Sequence, residues 1–188
     1  MPPTMTMWPS RLEVDPLALT PADVRVRDVA HHLARLCRYN GAVQDFLSVA
    51  RHSLAVSHLC TVRGEPRDVC LWGLLHDAAE AYLGDMVAPL KHRPGALYYR
   101  EWEAAVERAV GDAFGLDAAR LAPLVKPYDR YVGACEQTLL RGRPFDGAAL
   151  PDAGYRESFA VGRALTGDGP YDPRADAAEF LARFLELS

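Results

Sequence analysis

The sequence of 188 residues contains no run of about 18 consecutive apolar residues, so no membrane-spanning helix is expected. Its start lacks a basic region followed by an apolar stretch, and no secretory leader is expected. Cations are not in excess. Against 25 Asp and Glu stand 21 Lys and Arg, a net charge of -4. A general binder of nucleic-acid polymers draws its affinity from a basic surface, so that class is disfavoured. A nucleotide substrate, which needs only a few local cations, is not. The four cysteines Cys37, Cys60, Cys70 and Cys135 include no CxxC pair, which argues against a zinc ribbon or a dithiol redox site. Three of them sit in apolar, helix-like stretches, where a reduced Cys acts as a small hydrophobe. Together these absences predict a reduced, cytoplasmic protein. No segment alternates like a half-buried strand, and no repeat or low-complexity tract occurs.

What remains is helical periodicity. Residues 1–27 hold five prolines by position 21 and read as an extended arm packed on the body; residues 28–188 form one all-α domain. Val29, Leu33 and Leu36 mark a first helix from Asp28, ending near Arg38-Tyr39-Asn40-Gly41. A second helix is expected from about Ala50 to Arg63, broken by Gly64-Glu65-Pro66. A third, from Arg67 to Tyr82, is almost wholly apolar over Val69–Leu75 and should be the most buried. A long amphipathic helix follows from Leu97 to Phe114. Ala118–Arg141 supplies one or two more, with Pro123 and Pro127 as breaks or starts. Beyond Gly142 the chain is Pro/Gly-rich until a last helix, Asp176–Leu187.

Ionisable residues in the apolar third helix need compensation, because burying His76 and Asp77 is costly without a partner. A cation supplies one. Adjacent helical residues diverge by about 100°, so both can reach one ion, and Glu80 shares their face at i+4 and i+3. His52 opens the preceding antiparallel helix, and Asp129 lies in an otherwise apolar helical start. Two imidazoles and two carboxylates make a mixed nitrogen/oxygen shell suited to cobalt, manganese, zinc, iron or magnesium. Taken singly, His52 also reads as a capping or surface group and Asp129 as a cap or salt-bridge partner. Glu80 also reads as the group that holds His76 in one tautomer. His31, His32 and His58 read as core or surface.

The order His52, then His76-Asp77-Ala78-Ala79-Glu80, then Asp129 on successive helices resembles the HD-domain metal-dependent phosphohydrolases. The longer stretch Leu74–Asp85 is similar to that of bacterial 5′-deoxynucleotidases and phage dATP triphosphohydrolases. The likeness covers about residues 28–141. It implies an HD helical bundle with His52, His76, Asp77 and Asp129 as metal ligands, Glu80 handling the proton of the attacking water, and Asp85 near the leaving group or sugar. It implies hydrolysis of a 2′-deoxynucleotide, adenine favoured, as a 5′-nucleotidase or a triphosphohydrolase. The metal would be cobalt, manganese or zinc, with magnesium in addition. A homo-oligomer in the cytoplasm, or in a host's cytoplasm for a phage-encoded chain, is also implied. In that branch an Arg and an aromatic residue precede the first metal His; here Arg38-Tyr39 stands 14 positions before His52, with Tyr where the family usually has Trp. Arg38 and Lys91 are the phosphate candidates, since guanidinium pairs phosphate oxygens in a fork and ammonium offers a point charge. Tyr39 would contact base or sugar. The rival readings are a cyclic-nucleotide or alarmone hydrolase within the same superfamily, and a non-catalytic helical nucleotide-binding protein.

Overall fold

A computed structural model describes residues 3–142, 153–167 and 170–188. Its architecture follows from one helix that is buried on nearly every side. In α2 (Val49–Val62) every residue from Val49 to Ser57 is buried, as are Leu59 and Cys60. Such a helix must be surrounded. α2 is packed by α3 (Arg67–Leu75), α7 (Ala118–Arg141), α8 (Tyr155–Thr166) and α9 (Pro173–Leu187). Ser48 caps it, its hydroxyl accepting from the Arg51 amide at 3.0 Å. Gly64, at φ 76, turns the chain back so that α3 runs antiparallel. The two helices approach closely at Gly73, where a Cβ would meet Cys60 Sγ and Ser57 Cα at 3.3 Å.

The remaining elements close over this pair. A helix α1 (Val26–Leu33) packs on α9 and on the short α4 (Glu80–Leu83). α5 (Ala88–Lys91) and the amphipathic α6 (Leu97–Ala113) complete the side facing α4 and α7. The fold is all-α, as expected. Among the described residues, no helix is long and apolar enough to cross a membrane.

Several local expectations are corrected. The first helix stops at Leu33; residues Arg38–Gly41 form a separate 3-10 turn in which Tyr39 and Asn40 adopt left-handed φ of 56 and 54. The expected continuous helix from Arg67 to Tyr82 tightens after Leu75. The amides of Ala78, Glu80, Ala81 and Tyr82 bond to carbonyls three residues back instead of four. Pro123 and Pro127 do not interrupt α7. They lie four residues apart on its exposed side, where water can serve the carbonyls their missing N–H groups leave free. α8 falls where only loop was expected, and buries Val161, Ala164 and Leu165. α9 begins at Pro173, capped by Asp172, three residues before the expected start. Residues 5–14, expected to lack strands, form a two-stranded antiparallel hairpin of β1 (Met5–Thr6) and β2 (Glu13–Val14), registering Met5 with Val14. The hairpin is tied down where Ser10 N and Oγ donate to the Asp28 carboxylate at 2.9 and 2.6 Å.

Candidate metal centre

Three elements bring the site together. α2 contributes His52, fully buried one turn from its N-terminus. The tightened segment after α3 contributes His76 and Asp77, and the middle of α7 contributes Asp129. His52, His76 and Asp129 each offer one ligand atom, and those atoms lie within 4.8 Å of one another. Asp129 Oδ1 is 3.2 Å from His52 Nε2 and 3.9 Å from His76 Nε2. The Asp77 carboxylate flanks both rings, 3.6 Å from His52 Nε2 and 3.3 Å from His76 Nε2. All four residues singled out from the sequence therefore meet at one place.

The tautomers are set from behind. His76 Nδ1 lies 2.9 Å from the Gly73 carbonyl, which can only accept, so Nδ1 is the donor. His52 Nδ1 lies 2.7 Å from Glu136 Oε1 and donates likewise. Both Nε2 atoms thus face the cluster. Both are buried, and neither makes a well-aligned hydrogen bond among the described residues. Buried nitrogens without partners are costly unless something else engages them.

Tightening after Leu75 has a second effect. In a 3-10 turn residues three apart eclipse, so Glu80 stacks over Asp77. Glu80 is buried, its Oε2 has no hydrogen-bond partner, and burial with the charges of Asp77 and Asp85 holds its carboxyl well above the usual range. Asp85 is pushed up less, again chiefly by burial, with Asp77 adding to it. Asp77 and Asp129 go the other way. Burial opposes their ionisation, but His76 and His52 outweigh it and keep both carboxyls charged. For His52, burial and Arg38 oppose the proton; Glu136 and Asp129 outweigh them and push it up to about 9.

Of the expected substrate contacts, Arg38 is at the site. Its Nη1 is 3.5 Å from Asp77 Oδ2 and its Nε donates to Glu136 at 3.0 Å. Tyr39 is beside it, its hydroxyl donating to Glu136 at 2.6 Å. Burial, then Glu136, raises that hydroxyl to about 12, so it stays a donor. Lys91 is near enough to feel Asp77 and Glu80, but its ammonium is engaged by Glu103 of α6. His92 and Arg93 are exposed. His31, His32 and His58 stand apart from the cluster; His32 Nε2 accepts from the Trp8 amide at 3.2 Å.

Two residues escaped sequence reasoning. Glu136 is wholly buried behind His52. It stands seven positions after Asp129, two helical turns and the same face, and that spacing was the available signal. Glu107 of α6 is half-buried on the opposite wall, where burial and Glu103 push its carboxyl up to about 7. A cleft of about 680 Å³ lies elsewhere, lined by Phe46, Arg51, Tyr171, Asp176 and Glu179, and holds none of the cluster. Its cation is already spent: Arg51 pairs with Asp176 at 2.6 Å and Glu179 at 2.5 Å.

Comparison with known proteins finds relatives without an assigned role. An uncharacterized protein of Rhodobacter capsulatus is 41% identical over 116 residues, covering 59% of this chain and 58% of its own length. The uncharacterized protein YfdR of Escherichia coli K12 is 31% identical over 102 residues, 54% of this chain and 53% of its own. The chain thus spans somewhat more than half the length of these relatives. No protein-family model matches it.

The chemical capacity therefore rests on the cluster itself. His52, His76 and Asp129 can hold a metal ion. Two imidazole nitrogens and a carboxylate oxygen suit a borderline or transition metal better than calcium, which prefers oxygen alone.

Proposed function

We propose that this chain is a divalent-metal-dependent phosphohydrolase of the HD-domain type, acting on 2′-deoxynucleotides. The observation that carries the reading is the pair of buried, unpartnered imidazole nitrogens, His52 Nε2 and His76 Nε2, aimed at one point beside Asp129 and Asp77. With Asp77 as the fourth ligand the set is two nitrogens and two carboxylates, fitting cobalt, manganese or zinc, with magnesium accompanying the substrate. A cation there would lower the pKa of a coordinated water and neutralise phosphate charge.

The chain's own residues would do the rest. Arg38, its Nε held by Glu136 and its Nη1 3.5 Å from Asp77 Oδ2, would turn the outer side of its guanidinium to phosphate oxygens. Glu80, whose Oε2 is unclaimed, would take the proton of the attacking water; a carboxylate with a raised pKa is the stronger base. Asp85, half-buried nearby, would face the leaving group or sugar. Lys91 would contribute charge from the rim while remaining paired with Glu103. Tyr39 lines the same wall. Adenine is the favoured base, and a monophosphate and a triphosphate fit the reading equally.

Elemental analysis followed by a phosphate-release screen over the deoxynucleotides tests this. The expected result is bound or activating cobalt, manganese or zinc, with nucleoside and inorganic phosphate from dAMP or nucleoside and tripolyphosphate from dATP. Full activity in excess chelator after exhaustive dialysis would overturn the metal assignment. Absence of turnover of any nucleotide with any metal would leave a helical nucleotide-binding protein.

A further inference from the structure

Glu136 belongs to no ligand set, yet it touches both halves of the site. Its Oε1 accepts from His52 Nδ1 at 2.7 Å, and its Oε2 accepts from Arg38 Nε at 3.0 Å and the Tyr39 hydroxyl at 2.6 Å. It has no exposed surface, and it comes from α7, two turns beyond Asp129. Arg38 and Tyr39 reach it from a turn whose left-handed φ at Tyr39 and Asn40 is unfavourable for residues with a Cβ. Tyr39's contact with Glu136 helps offset that strain.

We propose that Glu136 is a positioning residue that fixes His52 as an Nε2 metal donor and, through its other oxygen, aims Arg38 and Tyr39 at the substrate. The inference rests on the metal-centre reading. Its logic is one of donor and acceptor counting. A carboxylate only accepts, and all three groups around it donate. His52 must then carry a hydrogen on Nδ1, which leaves the Nε2 lone pair for the metal. Arg38 Nε is consumed, so the guanidinium can meet an anion only through its Nη groups, of which Nη1 lies 3.5 Å from Asp77 Oδ2, and not side-on. One buried carboxylate thereby sets both the metal ligand and the angle of approach of the phosphate.

Glu136→Gln breaks this count while keeping shape and volume. An amide offers one accepting oxygen and one donating nitrogen. If the nitrogen faces His52, the imidazole must turn Nδ1 into an acceptor and protonate Nε2, spoiling the ligand. If it faces Arg38 and Tyr39, those two are displaced and His52 is spared. Zinc affinity by chelator competition, and the His52 tautomer by nitrogen NMR of the metal-free protein held above pH 9, where the imidazole is neutral, read the first branch. Inorganic phosphate affinity of the zinc-loaded protein reads the second.

The expected result is a zinc affinity weaker by ~10- to 100-fold with a changed tautomer, or an unchanged tautomer with phosphate binding weakened at least tenfold. A variant that binds zinc and phosphate within twofold of wild type, its tautomer unchanged, overturns the proposal. Glu136→Asp keeps the charge but withdraws it by one methylene. It should retain the Nδ1–H tautomer with a smaller loss of affinity, and serves if the Gln variant does not fold; zinc and phosphate binding within twofold of wild type there overturns the proposal equally. Should the wild type bind no zinc, cobalt or manganese, the metal reading fails, and this inference with it; if wild type binds and Glu136→Gln is indistinguishable, this inference alone fails.

Discussion

Glu107 offers a test of the electrostatics that needs neither metal nor substrate. Its carboxyl sits on α6 facing His76 and Asp77, and burial together with Glu103 pushes it up to about 7, against an ordinary 4.5. Such a group binds its proton more tightly in the folded than in the unfolded chain. Its stabilising contribution is therefore complete below pH 4.5 and is lost as pH rises through 7. Each pH unit between the two values is worth about 1.4 kcal/mol. The accumulated loss is then about 1 kcal/mol at pH 5, about 2 at pH 6 and about 3 at pH 8. These are ceilings, since Glu107 retains some contact with water, and a realised loss of 1–3 kcal/mol at pH 8 is expected, roughly, on the same linkage. Glu107→Gln carries no titrating proton and escapes the loss. Urea denaturation of metal-free wild type and variant at pH 5, 6, 7 and 8 should show the variant gaining on wild type as pH rises. A stability difference that is flat across that range would refute the reasoning, and so would one that shrinks.

Three further outcomes follow from the site and its support. His76→Ala or Asp77→Ala should lose bound metal and turnover together by elemental analysis and rate measurement, because on the proposed reading each removes a ligand. Glu80→Ala should keep its metal while turnover falls ~10²- to 10⁴-fold, the range for losing a general acid or base; a metal-free variant would make Glu80 a ligand instead. Asp176→Asn should cost about 1–3 kcal/mol in urea denaturation, because it removes one of the two carboxylates on buried Arg51 while Glu179 stays; a loss below ~0.5 kcal/mol would mean that Glu179 and solvent already compensate Arg51.

The His/Asp cluster was legible because its chemistry conflicts with its surroundings. His76-Asp77 in a run of Val, Cys, Leu and Trp is an anomaly that periodicity alone exposes, and Asp129 is a second one in an apolar helical start. Helices α2 and α6 were bounded to within a residue because Gly64 lies two positions after the end of α2 and Gly115 two after the end of α6. What could not be read depended on partners distant in the chain. The Arg38–Gly41 turn holds its left-handed residues with help from Glu136, 97 positions from Tyr39, and no local signal announces that. Lys91 looked like a free cation because nothing nearby shows Glu103 reaching it across from α6. α8 was missed because glycine and proline around it masked a buried stripe of Val161, Ala164 and Leu165. Pro123 and Pro127 misled for the opposite reason: the rule that proline breaks helices assumes no water can serve the freed carbonyls.

The clamp between α2 and α9 sets an order of events for the folding chain. Arg51, next to His52, finds its carboxylate 125 positions later in Asp176, and Arg183 reaches back 126 positions to Ser57 on the same helix. Contacts of that span come only after a long loop has closed, and their entropy is lost before their enthalpy is gained. Until α9 docks, α2 carries an unpaired guanidinium on a surface destined for the interior. A chain pausing there would hold the His52 helix loosely and expose its apolar faces to other molecules. The helix that carries His52 is thus held by residues that never approach the candidate metal site.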